Sequence, residues 1–374
     1  MFDEAMDVGI VTAPLDFGPS GPGVYLENLC LALRDLGNDD LDLHLIHYQK
    51  SSNEIYTDAN DVILPRTPCR FESAIASLDL DVLHYNYIPY KRPLVFALDV
   101  PLVITIHGDL PFVLPEQTPW QRRYVGKPIQ QLYSKVGLLD QIDHFLAVSD
   151  SVRENVRRGL SLPGRKMTTV YSGVDDRFKP VDDADETVRA TFGIKPPYLL
   201  NVNNYMEKKN RTTLIRAFAR VRGEHPDLTL VLAGGGWEES DLGATIAEHG
   251  LSDAVHDLGF VQERYLPSLY SAARALVNPT LHETFGLTNV EAMACGCPVV
   301  TSERFAVPEI VDDAALFIAD PLDADAVAAT IETLLGDEDR RDELSRAALS
   351  RAATFSWERT ATETIRVYRQ VLQD

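Results

Sequence analysis

The chain alternates short apolar runs with longer stretches of helical period. Residues 8–11 form the first run. A turn-rich loop follows, FGPSGPG at 17–23, and then a helical stretch over 24–36. Further apolar runs lie at 43–47, 82–84, Leu102–Ile106 and 145–148, with helical stretches between most of them. Short runs apolar on both faces predict buried parallel strands, and the helices between them supply the crossovers. The pattern pauses in an acidic, breaker-containing stretch, DDRFKPVDDADE, which predicts an exposed link near residues 176–195. It then restarts with strands at Tyr198–Val202, 228–233 (running into Gly234-Gly235-Gly236), 255–258, 275–277 and 298–301. A helix is predicted over 212–222 and a helical tail over 323–372, its last helix opening at Trp357. Two doubly wound α/β domains follow. Ligands in such sheets bind at the carboxyl ends of the strands, and two such domains predict a ligand cleft between them.

Length and composition agree with two ordinary globular domains. The chain has 374 residues, 45% hydrophobic and 24% charged. The longest apolar run, residues 94–106, carries Asp99 and Pro101 and falls short of the ~20 residues a spanning helix needs. Acids stand at the N-terminus where a secretory leader carries basic residues, so a cytoplasmic location is expected. Charge is the departure: 35 basic against 56 acidic residues give a net −21. That field opposes nucleic acid and any general polyanion, so no nucleic-acid partner is expected. Lysine is scarce (9, against 26 arginines) and aspartate abundant (34), a balance that predicts adaptation to high salt, where screening removes self-repulsion. The cysteines, Cys30, Cys69, Cys295 and Cys297, include no C-x-x-C pair and read as buried thiols.

Several motifs carry candidate chemistry. Gly18, Gly21 and Gly23 follow the first strand. Their spacing is neither a P-loop nor G-x-G-x-x-G, and alone they read as a tight turn. Lys208, Lys209 and Arg211 sit between a strand and a helix, where an anion site is reasonable; Lys208 and Arg211 read as solvated loop cations. Glu283 and Glu291 are eight apart in HETFGLTNVEAMACGCPVV. The first is expected in the loop feeding a helix and the second inside it, both pointing into a cleft. His107 ends a strand, followed by Gly108 and Asp109. Five D-x-D triplets (Asp40/Asp42, Asp79/Asp81, Asp183/Asp185, Asp323/Asp325, Asp337/Asp339) read as surface acidity, so no essential metal or other cofactor is predicted.

Taken in order, these segments resemble the retaining GT-B glycosyltransferases of family four. LVNPTLHETFGLTNVEAMACGCPVVTS resembles the family's Glu-x7-Glu signature, LVITIHG its His loop, FLAVSDSVRENV its strand-Ser-helix element and TTVYSGVDDRFKP its link. YLLNVNNYMEKKNRTTLIRAF resembles the opening of its donor domain, and VPEIVDDAALFIAD a later loop. The resemblance implies an acceptor-side domain at 1–178, a nucleotide-sugar donor domain at 179–355 and a C-terminal helix, 356–374, crossing back. It implies Glu291 on the ribose, Glu283 by the transferred sugar with Phe285, Gly286 and Leu287 beside it, and Lys209 on the diphosphate. Gly21 and Gly23 would close on the phosphates, and His107 would contact the donor sugar. Asn203-Asn204 departs from the family's Gly-Arg, whose arginine shares the diphosphate.

The expected partners are a UDP- or GDP-linked hexose and a hydroxyl acceptor, glycan or lipid-linked. Arg122, Arg123, Lys127 and Lys135, in a stretch without acids, form a candidate patch for the acceptor or for peripheral contact with a membrane. The alternative function is a catalytically weak relative serving as a binding or partner subunit, motivated by Asn203-Asn204.

Overall fold

A computed structural model describes residues 5–17, 20–37, 40–51, 53–57, 59–64, 68–88, 98–113, 127–237 and 240–373. The chain divides into two compact units, Met1–Gly173 with Ser356–Asp374, and Val174–Phe355.

The first unit contains, in chain order, β1 (Met6–Val11), α1 (Gly21–Gly37), β2 (Leu41–His47), β3 (Asn60–Ile63), α2 (Pro68–Ile75), β4 (Val82–Tyr85), β5 (Leu102–Ile106), α3 (Leu110–Val113), α4 (Lys127–Lys135), β6 (His144–Ala147), α5 (Asp150–Leu160) and β7 (Met167–Thr169). Its described strands form one sheet in the order β3-β2-β1-β4-β5-β6-β7, with every pairing parallel. The strand order reverses between β1 and β4. The central strands β4, β5 and β6 are buried at every position, as a sheet covered on both faces requires.

The second unit contains α6 (Ala184–Phe192), β8 (Tyr198–Val202), α7 (Arg211–Glu224), β9 (Thr229–Ala233), α8 (Leu242–Glu248), β10 (Val255–Asp257), α9 (Leu266–Ala272), β11 (Ala275–Asn278), α10 (Leu287–Ala294), β12 (Val299–Ser302), α11 (Val307–Val311), β13 (Ala315–Ile318), α12 (Ala324–Leu335) and α13 (Glu338–Ala352). Its sheet is again parallel, in the order β10-β9-β8-β11-β12-β13, and reverses between β8 and β11. Its core joins Leu214, Phe218 and Val221 of α7, Leu230 and Leu232 of β9, and Val327 and Ile331 of α12.

The last helix, α14 (Trp357–Val371), belongs to the first unit. Its Tyr368 hydroxyl lies 2.6 Å from His84 Nδ1, and Thr360 Oγ1 donates to the Tyr171 carbonyl at 2.7 Å. A Cβ on Gly173 would lie 2.2 Å from the Trp357 backbone nitrogen, so this close approach requires glycine.

Two sequence expectations change. The link expected near 176–195 holds a whole helix, α6, whose buried Ala184 and Val188 anchor it. The helix expected from residue 24 begins at Gly21: the Ser20 hydroxyl accepts from the Gly23 amide at 3.2 Å, so Gly21 and Gly23 belong to its first turn. The D-x-D aspartates Asp323 and Asp337 are exposed, as expected, and also accept backbone N–H bonds at the starts of α12 and α13. Cys30, Cys295 and Cys297 are buried and free, whereas the Cys69 side chain lies outside the described atoms.

Candidate active site

In an open parallel sheet, the crevice where the strand order reverses is the natural ligand site, because neighbouring loops diverge there. In the second unit that point lies between β8 and β11. Lys209 follows β8 and Glu283 follows β11. Lys209 Nζ donates to Glu283 Oε1 at 2.7 Å, with both side chains largely buried. Burial raises the Glu283 pKa, but Lys209, Lys208 and a bond from Thr280 outweigh it, and the carboxyl is held below the ordinary range. The loops are tied by backbone as well. The Lys208 carbonyl accepts from the Leu281 amide at 2.7 Å and from Thr280 Oγ1 at 3.2 Å.

Two helices begin beside this pair. α7 starts after Asn210, which is left-handed (φ 57), and α10 after Gly286 (φ 91). Neither start carries a side-chain cap hydrogen bond, although the Asn289 amide in the first turn of α10 is bonded to the Gly286 carbonyl at 2.9 Å. Phe285 is buried against Phe355, with ring centroids 5.5 Å apart. Leu287 opens α10. Glu291, one turn further on, accepts from the Tyr270 hydroxyl at 2.9 Å. Burial raises its pKa to about 7; the Tyr270 bond opposes this and Glu263 adds to it.

Asn203 and Asn204 are placed differently from each other. Asn203 is buried, and its Nδ2 donates to Asn278 Oδ1 at 3.2 Å. Asn204 is exposed, and its Oδ1 accepts from the Gly235 amide at 3.1 Å. Gly234 (φ 115) lets the β9 loop pass the Asn203 carbonyl; a Cβ there would lie 2.2 Å from that oxygen.

Arg211 overturns its reading as a solvated cation. It is fully buried at the first position of α7, with its guanidinium stacked on Trp237, 4.3 Å from the ring centroid. Nε donates to Asn201 Oδ1 and Nη2 to the Asn203 carbonyl, each at 2.9 Å. Lys208 is half-buried, with Nζ 3.3 Å from His282 Nδ1, which also replaces the solvated reading.

In the first unit, His107 directly follows β5 and lies edge-on to Tyr25 of α1, with centroids 4.6 Å apart. Its Nε2 is 3.3 Å from Asn86 Oδ1. Burial lowers its pKa to about 3, so the ring is neutral at physiological pH. Arg122 and Arg123 lie outside the described residues. Lys127 is directed inward, donating to the Pro111 carbonyl at 2.8 Å, and Lys135 is exposed at the end of α4. Sequence reasoning missed Tyr270, Tyr25, Asn86 and Trp237, because none sits in a motif. Among the described residues, one group could hold a metal ion: Asp7 and Asp42, each second in its strand (β1 and β2), with His44 in the middle of β2.

Two parallel doubly wound units, the second carrying an ionic pair at its switch point, make up the GT-B architecture. A family model described as Glycosyl transferases group 1 matches residues 184–351, and one described as Glycosyltransferase Family 4 matches residues 19–178. The chain belongs to this glycosyltransferase family. O-antigen chain mannosyltransferase B of Escherichia coli is 33% identical over 275 residues, 71% of this chain and 70% of that protein. The sucrose-phosphate synthase structure from Thermosynechococcus elongatus superposes with a TM-score of 0.79 at 24% identity, covering 98% of this chain and 99% of that one. Anabaena HepE, solved with UDP-glucose, gives a TM-score of 0.79 at 18% identity, covering 98% and 100%. No described helix is long and apolar enough to cross a membrane.

Proposed function

We propose that the chain moves a hexose, with retention at the anomeric carbon, from a nucleotide sugar to a hydroxyl acceptor. The observation that carries this reading is the Lys209–Glu283 pair at the β8/β11 switch point, with Glu291 on the helix that follows. Breaking a sugar–diphosphate bond leaves negative charge on the leaving group. Lys209 and the uncapped starts of α7 and α10 are fitted to receive it. That division of labour calls for no metal ion. Glu291 offers its carboxyl to the ribose hydroxyls, and Glu283 stands by the sugar. His107 serves the sugar as a neutral imidazole. Mannose is the first hexose to test, because the Escherichia coli relative is a mannosyltransferase.

A lipid-linked glycan is the acceptor class we favour. α4 presents Lys135 beside the exposed Leu132 and Val136, a basic and apolar edge suited to an anionic membrane surface. A second reading, a partner subunit that binds donor without turning it over, draws on Asn204, which brings no charge where the family carries arginine.

A thermal-shift panel of UDP, GDP, ADP and their hexose conjugates, with and without EDTA, tests the donor. A ligand specific to the folded state at a hundredfold excess over its Kd stabilises by ~2.7 kcal/mol. A shift with one base that EDTA leaves unchanged supports the reading, and the anomeric NMR signal of the product tests retention. Silence across the panel rejects the donor site, and binding without turnover selects the partner subunit.

A further inference from the structure

Arg211 is a cation in an unfavourable place. It is fully buried, and no carboxylate hydrogen-bonds it among the described residues. A buried charge is normally paired. It also occupies the first position of α7, the positive end of the helix dipole, where a cation is disfavoured. Its Nη1 has no hydrogen-bond partner.

The guanidinium ends a buried chain of amides. Arg211 Nε donates to Asn201 Oδ1. Asn203 Nδ2 reaches both Asn201 Oδ1, at 3.4 Å, and Asn278 Oδ1, at 3.2 Å. Asn278 Nδ2 donates to Asn289 Oδ1 at 3.0 Å. All four asparagines are buried. The chain therefore crosses the switch point from the start of α7 to the first turn of α10. Its far end is a second donor without a partner, Asn289 Nδ2, which lies 3.3 Å from where a Cβ on Gly286 would stand. Unpaired donors thus stand at both ends of the network, beside two uncapped helix starts. Among the described residues no carboxylate hydrogen-bonds either donor, and Asp257 acts on Arg211 only as a charge at longer range. The Arg211 guanidinium and the Trp237 indole also both bond the Asn203 carbonyl, so this side chain fixes the course of the 203–205 loop.

We propose that Arg211, through the Asn201–Asn203–Asn278–Asn289 network, is the buried counter-charge of the donor's diphosphate and a positioning residue for the loops that hold it. This inference rests on the nucleotide-sugar reading and assigns the charge that Asn203-Asn204 does not supply. Arg211 acts without touching the ligand. In a low-dielectric surrounding its field is weakly screened, so a buried cation attracts an anion at the loop ends more strongly than a surface lysine would.

The test compares Arg211→Gln with Arg211→Lys. Glutamine keeps an amide donor and removes the charge, while lysine keeps the charge and loses the planar fork. Kd is measured by calorimetry for whichever of UDP, GDP or ADP the unsubstituted protein binds, and for the matching nucleoside, below each variant's melting temperature. R211Q is expected to weaken nucleoside diphosphate binding by about tenfold or more (~1.4 kcal/mol or more). The nucleoside Kd should stay put, and R211K should remain within about threefold of the parent. Adding Asn204→Arg to R211Q should recover most of the loss, which a purely structural role for Arg211 does not predict. Equal loss of affinity in both variants, or a loss shared by the nucleoside, overturns the proposal. If R211Q does not fold, the R211K Kd and its weakening with added salt decide the matter: a shallower salt dependence than the parent's sinks the counter-charge role. Failure of the unsubstituted chain to bind any nucleoside diphosphate is a distinct result. It rejects the donor reading and this inference with it.

Discussion

Tyr270 donates a 2.9 Å hydrogen bond to Glu291 and so ties α9 to α10 through a carboxyl that titrates near neutrality. The pKa of about 7 arises first from burial. The Tyr270 bond and Arg177 pull it down, while Glu263 and Asp175 push it up. In the unfolded chain the group titrates near 4.5, so the folded state favours the proton. Its stabilising contribution is full below about pH 4.5 and is lost as pH rises through 7. Glu291→Gln, which cannot ionise, should therefore be more stable than the parent at pH 8, by an amount of order 1–3 kcal/mol that shrinks towards pH 4.5. Melting curves at the two pH values check this; a difference independent of pH contradicts it. The same substitution should weaken donor binding at pH 8, where the parent offers a carboxylate to the ribose.

The Lys209–Glu283 pair separates binding from folding. Removing the lysine leaves Glu283 as a buried carboxylate without its nearest cation, and breaking a buried pair in this way costs about 3–5 kcal/mol. Lys209→Met is expected to melt well below the parent and to lose nucleoside diphosphate affinity. Glu283→Gln keeps an oxygen to accept from Lys209 and should lose far less stability. Its deficit should fall on turnover with donor affinity largely kept. A kcat and KM measurement on E283Q decides between the two; a rise in donor KM with kcat intact removes Glu283 from the sugar.

His107 should stay neutral through the physiological range. Burial holds its pKa near 3, and holds that of His84 near 3 as well, the latter with a further push from His107. Both values lie below the ordinary 6.5, so the contribution to stability is full above pH 6.5 and is lost as pH falls towards 3. The ring-proton NMR shifts of His107 and His84 are expected to stay constant from pH 8 to pH 5. A midpoint between 6 and 7 for His107 would mean that the imidazole is open to water and free to act as an acid.

The fold was legible because parallel strands buried on both faces are written as unbroken apolar runs, as in LVITI of β5 and YLLNV of β8. Lys209, Glu283 and Glu291 were legible because each follows or joins such an element in a recognisable segment. The polar network behind them was not. Asn201 lies inside an apolar strand, and Asn278 and Asn289 are ordinary residues until the parallel register brings β8 beside β11. Arg211 was misread for a related reason. Next to Lys208 and Lys209 it looks like one more loop cation, and only the stacking on Trp237, distant in sequence, turns it inward. Helix starts shifted for a local reason: Ser20 caps a turn whose glycines and proline resemble a plain loop.

Salt dependence follows from the charge balance. A net charge of −21 repels itself most when unscreened, and folding gathers those charges into a smaller volume. The Debye length falls from ~10 Å at 0.1 M to ~3 Å at 1 M, so molar KCl removes most of that repulsion. Salt also weakens surface pairs such as Glu154 with Arg157 and Arg158, but such exposed pairs contribute little to stability. The gain should therefore exceed the loss, and the melting temperature should climb between dilute buffer and 2 M KCl. Sorbitol at matched osmolality separates screening from general solute exclusion, since it stabilises without ions. A melt unchanged by KCl, or raised equally by sorbitol, would leave the acidic surface without a part in salt adaptation.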